Sequence, residues 1–164
     1  MLPTFDVMFA EDPWFDRKVR IKKLRPDAIL PTKGTERSAG FDFYLPDDVT
    51  IPHLGTKRVL LGLVIETPPG HMLLVAPRSS TFKNWGIKLA NTVGIVDEDY
   101  AGDQDDMCLL LHNPDPYQSR SVPKGTRIAQ GIFVPVSSDF EWHEVPEGES
   151  MGESRGGWGS TGTR

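Results

Sequence analysis

The chain has 164 residues, a net charge of −5, 38% hydrophobic and 25% charged residues, which is enough for one domain with a buried core. The acidic balance excludes a general nucleic-acid or membrane-surface binder, because both need a basic footprint. One cysteine, Cys108, has no partner for an internal disulfide, so a reducing setting is expected, cytoplasmic or nuclear, or a host's cytoplasm if the chain is viral.

In chain order, residues 1–18 read as an N-terminal extension. Asp6, Glu11 and Asp12 occur there and a basic stretch does not, unlike a secretory signal. "VRIKKL" (19–24) alternates apolar and basic residues and predicts a strand. "TKRVLLGLVIE" (56–66), "HMLLVA" (71–76), "MCLLL" (107–111) and "RIAQGIFVPV" (127–136) predict four more. None is long enough to span a bilayer as a helix. Between them stand "LPDD", "TPPG", "HNPDP" and "VPKGT", which are turn chemistry. Sixteen glycines and fourteen prolines disfavour helices. Only "SSTFKNW" (79–85) predicts a short helix, with Ser79 or Ser80 as its cap. The pattern is an all-β barrel, sandwich or jelly roll over residues 19–143. Apolar patterning stops near Glu144, so residues 144–164 read as a glycine-rich C-terminal arm.

Four stretches carry candidate chemistry. "RSAGFDFYLP" (37–46) sets Asp42 in an aromatic strand, with Phe41 and Phe43 on one face and Asp42 and Tyr44 on the other. Asp42 is then either an exposed strand residue or a contact to a metal's water shell. "APRSST" (76–81) places Arg78 among hydroxyl residues at the helix start. Free N–H groups and a guanidinium there suit a phosphate; a surface arginine beside a cap is the plain alternative. "NTVGIVDEDYAGD" (91–103) reads as a hairpin whose Asp97, rigidly held, can orient and deprotonate water. Acids in such turns are also commonly solvated caps. The acidic "DQDD" after it reads as a solvated loop. The tail "ESRGGWGSTGTR" contains G-x-G-x-x-G, but no strand precedes it and no helix can follow, so it is not a dinucleotide fingerprint. It reads either as a frayed tail or as a mobile arm that orders over a ligand.

The order of these stretches resembles the five motifs of the trimeric dUTPase family: "SAGFDFYLP", "APRSS", "NTVGIVDEDYAGD", "GTRIAQGIFVP" and "RGGWGSTG". The resemblance implies a distorted jelly roll, assembled as a homotrimer with active sites between subunits. It implies hydrolysis of dUTP to dUMP and pyrophosphate, with Mg²⁺ as cofactor. It assigns Asp97 as the general base. Arg78, Ser79, Ser80 and Gln130 would hold phosphate oxygens. Asn91 with the backbone of Gly94, Ile95 and Val96 would read the uracil edge, and Tyr100 would stack on deoxyribose. Asp42 would meet the magnesium through water. Trp158, in place of the family's usual phenylalanine, would cover uracil, and Arg155, Ser160 and Thr161 would reach the terminal phosphates. Arg155 stands two residues nearer the aromatic than the family's arginine, whose position Glu153 fills.

Two alternatives differ in class. The related dCTP deaminases place a catalytic glutamate on the strand after the third motif, three residues before an asparagine; here that position is Leu110. A non-catalytic nucleotide sensor on the same fold is the other, and retention of Asp97 speaks for an enzyme.

Overall fold

The computed structural model describes residues 18–137 and 139–154. Twelve strands and one short helix occur among them: β1 (Ile21–Lys23), β2 (Thr32–Lys33), β3 (Phe41–Tyr44), β4 (Val49–Ile51), β5 (Thr56–Leu60), β6 (Leu63–Ile65), β7 (His71–Pro77), α1 (Thr81–Trp85), β8 (Lys88–Leu89), β9 (Gly94–Val96), β10 (Cys108–His112), β11 (Arg120–Val122) and β12 (Arg127–Pro135). The fold is all-β and jelly-roll-like, as the turn-punctuated strand pattern predicts. A five-stranded sheet runs β2-β3-β12-β7-β9, a three-stranded one β5-β10-β8, and two pairs are β1-β6 and β4-β11. Their pairings are antiparallel.

Strand alternation decides which side chains enter the core. In β10, Leu109 and Leu111 are buried while Leu110 between them is exposed, the pattern of a sheet with one covered face. β7 buries Leu73 and Val75 in the same way. With Phe43, Leu45, Ile51, Leu61, Ile87 and Ile128 they form one apolar cluster. Phe43 lies against Gly131 on the neighbouring strand β12: a Cβ there would stand 2.7 Å from the ring's Cε2. Any larger residue at 131 displaces the ring, and losing the ring altogether would cost about 3–5 kcal/mol.

The run 56–66 is two strands in different sheets, not one. Gly62 breaks it with φ +69, and a Cβ at that position would lie 2.5 Å from Arg25 Cγ. The left-handed turn lets β6 leave β10 and pair with β1. The stretch 91–103 is not a hairpin on itself either. β9 crosses to β7, with Val96 opposite Leu73 and Gly94 opposite Val75. Helix α1 begins at Thr81; Ser80 occupies the cap position but makes no side-chain capping bond. Thr81 instead donates its hydroxyl to Ile128 O at 2.8 Å, tying the helix start to β12.

"HNPDP" is a turn with a buried anchor. Asn113 is fully buried. Its amide donates to Ile51 O, Pro52 O and Gln118 O, and its Oδ1 accepts from Asp115 N. A buried amide is tolerated only when so satisfied. The "DQDD" loop is solvated at Asp103 and Gln104 but anchored by two contacts. Asp106 accepts from Leu63 N at 3.0 Å, and Asp103 pairs with Lys22 at 2.7 Å. Residues 144–154 form no strand or helix and are almost all exposed.

Candidate active site

Three separated stretches meet beside the middle of the five-stranded sheet. Gln130 of β12 stands opposite both Asp42 of β3 and Ala76 of β7. Arg78 follows the last residue of β7. Asp42, Arg78, Ser79 and Gln130 line a recess of ≈ 230 Å³, closed on one side by Ser38 and Gly40. All four were expected at the site, and the fold brings them together.

Asp42 is neither exposed nor free for a metal shell on all sides. It is 7% exposed. Its Oδ1 lies 2.6 Å from Arg78 Nε, and its Oδ2 lies 3.2 Å from Arg127 Nη1. Arg78 Nη1 also donates to Arg127 O at 3.4 Å. The carboxylate thus fixes the direction of a guanidinium that keeps further N–H donors for the recess. Gln130 is held by its amide, which donates to Pro77 O at 3.2 Å. Its carbonyl oxygen closes over Gly40, 3.2 Å from where a Cβ would stand. Ser79 is exposed at the rim, and Ser80 is half-buried behind it. A helix of five residues has only a small dipole, so Arg78 rather than the helix end supplies the positive charge.

The stretch 91–103 lies elsewhere. Leu73, the partner of Val96, is five residues before Arg78 on β7, about 17 Å at roughly 3.3 Å per residue. Asp97 leaves β9 beyond Val96, so it stands at the far end of β7 from the recess. Asp97 and Tyr100 share a turn closed by Tyr100 N–H donating to Asp97 O at 3.2 Å. Tyr100 OH donates to Asp106 O at 3.2 Å, which steadies the ring while leaving it 39% exposed. β9 is an edge strand, and edges present backbone N–H and C=O groups outward. Asn91 sits beside Gly94, its Nδ2 3.7 Å from where a Cβ would be. Thr92 between them holds φ 63, a conformation a β-branched residue rarely adopts. Asn91, Gly94, Ile95 and Val96, expected to read uracil, therefore lie together along one sheet edge, with Asn91 and Ile95 exposed and Gly94 and Val96 half-buried. Arg155, Trp158, Ser160 and Thr161 lie outside the described residues.

Ser38 lines the recess, and Arg127 supports it through Asp42 without lining it; the motif pattern assigns a role to neither. Ser38 stands inside the stretch 37–46, four residues before Asp42. Arg127 opens β12, and its place is decided by an irregularity of that strand. Among the described residues no group of three or more His, Cys, Asp or Glu is placed to hold a metal. Nor is any described helix long and apolar enough to cross a membrane. Leu110, at the deaminase position, is apolar and 38% exposed.

A family model described as dUTPase matches residues 26–162. The deoxyuridine 5'-triphosphate nucleotidohydrolase of Wolinella succinogenes is 37% identical over 145 residues, 88% of this chain and 94% of its own. That of Saccharomyces cerevisiae is 33% identical over 147 residues, 90% of this chain and 96% of its own. Among solved structures, the Staphylococcus bacteriophage 80alpha dUTPase with dUPNHPP superposes with a TM-score of 0.75 at 22% identity, covering 89% of this chain and 99% of that one. A mutant dUTPase from phage phi11 of S. aureus, described with a structural Mg(II) ion, gives 0.70 at 17% identity, covering 81% and 99%.

Proposed function

The chain belongs to the dUTPase family, and from that membership we propose that it hydrolyses dUTP to dUMP and pyrophosphate in a homotrimer with shared active sites. The observation that carries the reading is the convergence of Asp42, Arg78, Ser79 and Gln130 on one recess. Donors of this kind, fixed before substrate arrives, stabilise charge developing on phosphate oxygens.

Within that reading, Asp97 takes the proton from a water as the water attacks the α-phosphorus, and pyrophosphate leaves. Tyr100 offers its exposed ring face to deoxyribose, where a 2′-hydroxyl would clash. The outward edge of β9, with Asn91, pairs with uracil. The separation of Asp97 from Arg78 along β7 supports the trimer: one protomer presents the base and sugar platform, and a second presents the phosphate recess. Arg155, Trp158, Ser160 and Thr161 close over the ligand from the arm, residues 144–164. The product dUMP feeds thymidylate synthesis, and removal of dUTP keeps uracil out of DNA. Cys108, a free thiol, suits a cytoplasmic setting.

The residues present fit magnesium in one way. A single carboxylate, Asp42, stands at the recess with both oxygens already paired. It would meet the ion through water while phosphate oxygens supply the direct ligands, as magnesium prefers. When bound, the ion would neutralise phosphate charge.

The test is turnover. Purified protein with Mg²⁺ is expected to release pyrophosphate from dUTP, little from UTP, and no ammonia from dCTP. Absence of pyrophosphate from dUTP sinks the hydrolase; ammonia from dCTP would make it a deaminase. Tight dUTP binding without turnover would favour the sensor.

A further inference from the structure

We propose that Arg127 is a positioning residue for the phosphate recess, acting through Asp42 on Arg78; the proposal rests on the phosphate role of that recess. The backbone gives the first reason. On β12, Gln130 pairs with Asp42 and Ala129 with Phe43. Regular pairing would next set Ile128 opposite Tyr44 and send Arg127 to the core side of the sheet. Instead the register shifts, and Arg127 itself stands opposite Tyr44. Ile128 and Ala129 both enter the core, each 0% exposed. The extra residue turns Arg127 onto the face that carries Asp42 and Gln130. Bulges re-aim side chains in this way next to functional sites. Thr81 Oγ1 donating to Ile128 O at 2.8 Å holds the bulge in place.

Charge gives the second reason. Asp42 is 7% exposed and offers one oxygen to each arginine, Oδ1 to Arg78 and Oδ2 to Arg127. Two guanidinium groups on one carboxylate leave the trio with a net charge of about +1. Without Arg127 the remaining pair is neutral. Oδ2 would then lose its partner, and Arg78 would be drawn into two-pronged pairing with Asp42. Its donors would turn from the recess to the carboxylate. Arg127 therefore occupies Oδ2 so that Arg78 reaches Asp42 by one edge and phosphate by the other.

The experiment compares wild type, Arg127→Lys and Arg127→Ala. Binding of inorganic tripolyphosphate is measured by calorimetry, and KM and kcat for dUTP by pyrophosphate release. Arg127→Ala should bind tripolyphosphate about tenfold or more weakly, the scale of one charge-assisted contact. Its KM should rise by a larger factor than its kcat falls. Arg127→Lys should recover most of the binding. In an Asp42→Asn background the effect of Arg127→Ala should shrink. A folded Arg127→Ala whose binding and KM stay within about twofold of wild type overturns the proposal. So does a loss of Tm with KM unchanged. If Arg127→Ala does not fold, Arg127→Gln, which keeps a donor without the charge, decides by the same measurements. Tripolyphosphate binding that depends on Arg127 in a protein without dUTP turnover would remove the hydrolase and leave this role standing.

Discussion

Asp97 and Arg78 stand at opposite ends of β7: Val96 is registered on Leu73, while Arg78 follows the strand's last residue, Pro77. About 17 Å of strand lies between Leu73 and Arg78. On the proposed reading, in which Asp97 is the general base and Arg78 holds phosphate, groups so far apart serve one substrate by coming from different subunits.

Mixing variants tests this directly. Asp97→Asn and Arg78→Ala proteins should each be nearly inactive alone. Co-refolded, they should regain a substantial part of wild-type activity, because some interfaces combine an intact Asp97 from one protomer with an intact Arg78 from another. Light scattering should give a trimer mass. No recovery from a verified mixed trimer would place both residues in one protomer's site.

Asp97→Asn should preserve fold and binding of a non-hydrolysable dUTP analogue. Turnover should fall by about 10²–10⁴-fold, the usual contribution of one general base. Near wild-type turnover would mean that another group takes the proton.

Tyr100→Ala should improve UTP relative to dUTP. The ring is pinned by its hydroxyl on Asp106 O and exposes a face, so removing it opens room for a 2′-hydroxyl. The ratio of kcat/KM for the two nucleotides is the readout. An unchanged ratio would assign sugar choice elsewhere.

Acid should weaken one surface network in a predictable direction. Arg25 holds Asp27 well below the usual carboxylate range and lowers Asp47 as well, and Lys124 adds to both effects. Their folded-state values lie below the unfolded ones. The stabilisation is therefore complete above an unfolded value of about 3.9 and is lost as pH falls below it. The Tm difference between wild type and Asp27→Asn should shrink between about pH 5 and pH 2. Salt should shrink it too, since these groups are exposed. A difference constant across that window would show that the pairs contribute nothing to stability.

Truncation after Ser150 should leave the trimer and analogue binding intact while kcat falls. Closure of such an arm aids the chemical step more than binding. Trp158 fluorescence should change on adding the analogue, and the change should vanish in Trp158→Phe. Full kcat in the truncated protein removes the lid. Loss of the trimer would make the arm structural.

The sequence by itself determined the all-β class, most strand positions and the identity of the motif residues. Those signals are local: glycine and proline punctuation, β-branched runs, and residue types in a recognisable order. Asp42, Arg78, Ser79 and Gln130 were legible for that reason. The tertiary structure alone decided which oxygen of Asp42 meets which arginine, because the partners lie on β3, on β12 and just beyond β7, far apart in the chain. It decided that 56–66 breaks at Gly62, where the packing of Arg25 demands a residue without a Cβ. It sent 94–96 across to β7 rather than back on itself. It also placed Arg127, which alternation along a regular strand would have pointed to the core. A strand's period of two assigns faces only while register is kept. The shift at Ile128 is set by long-range pairing with β3 and by Thr81, and no local run of residues encodes it.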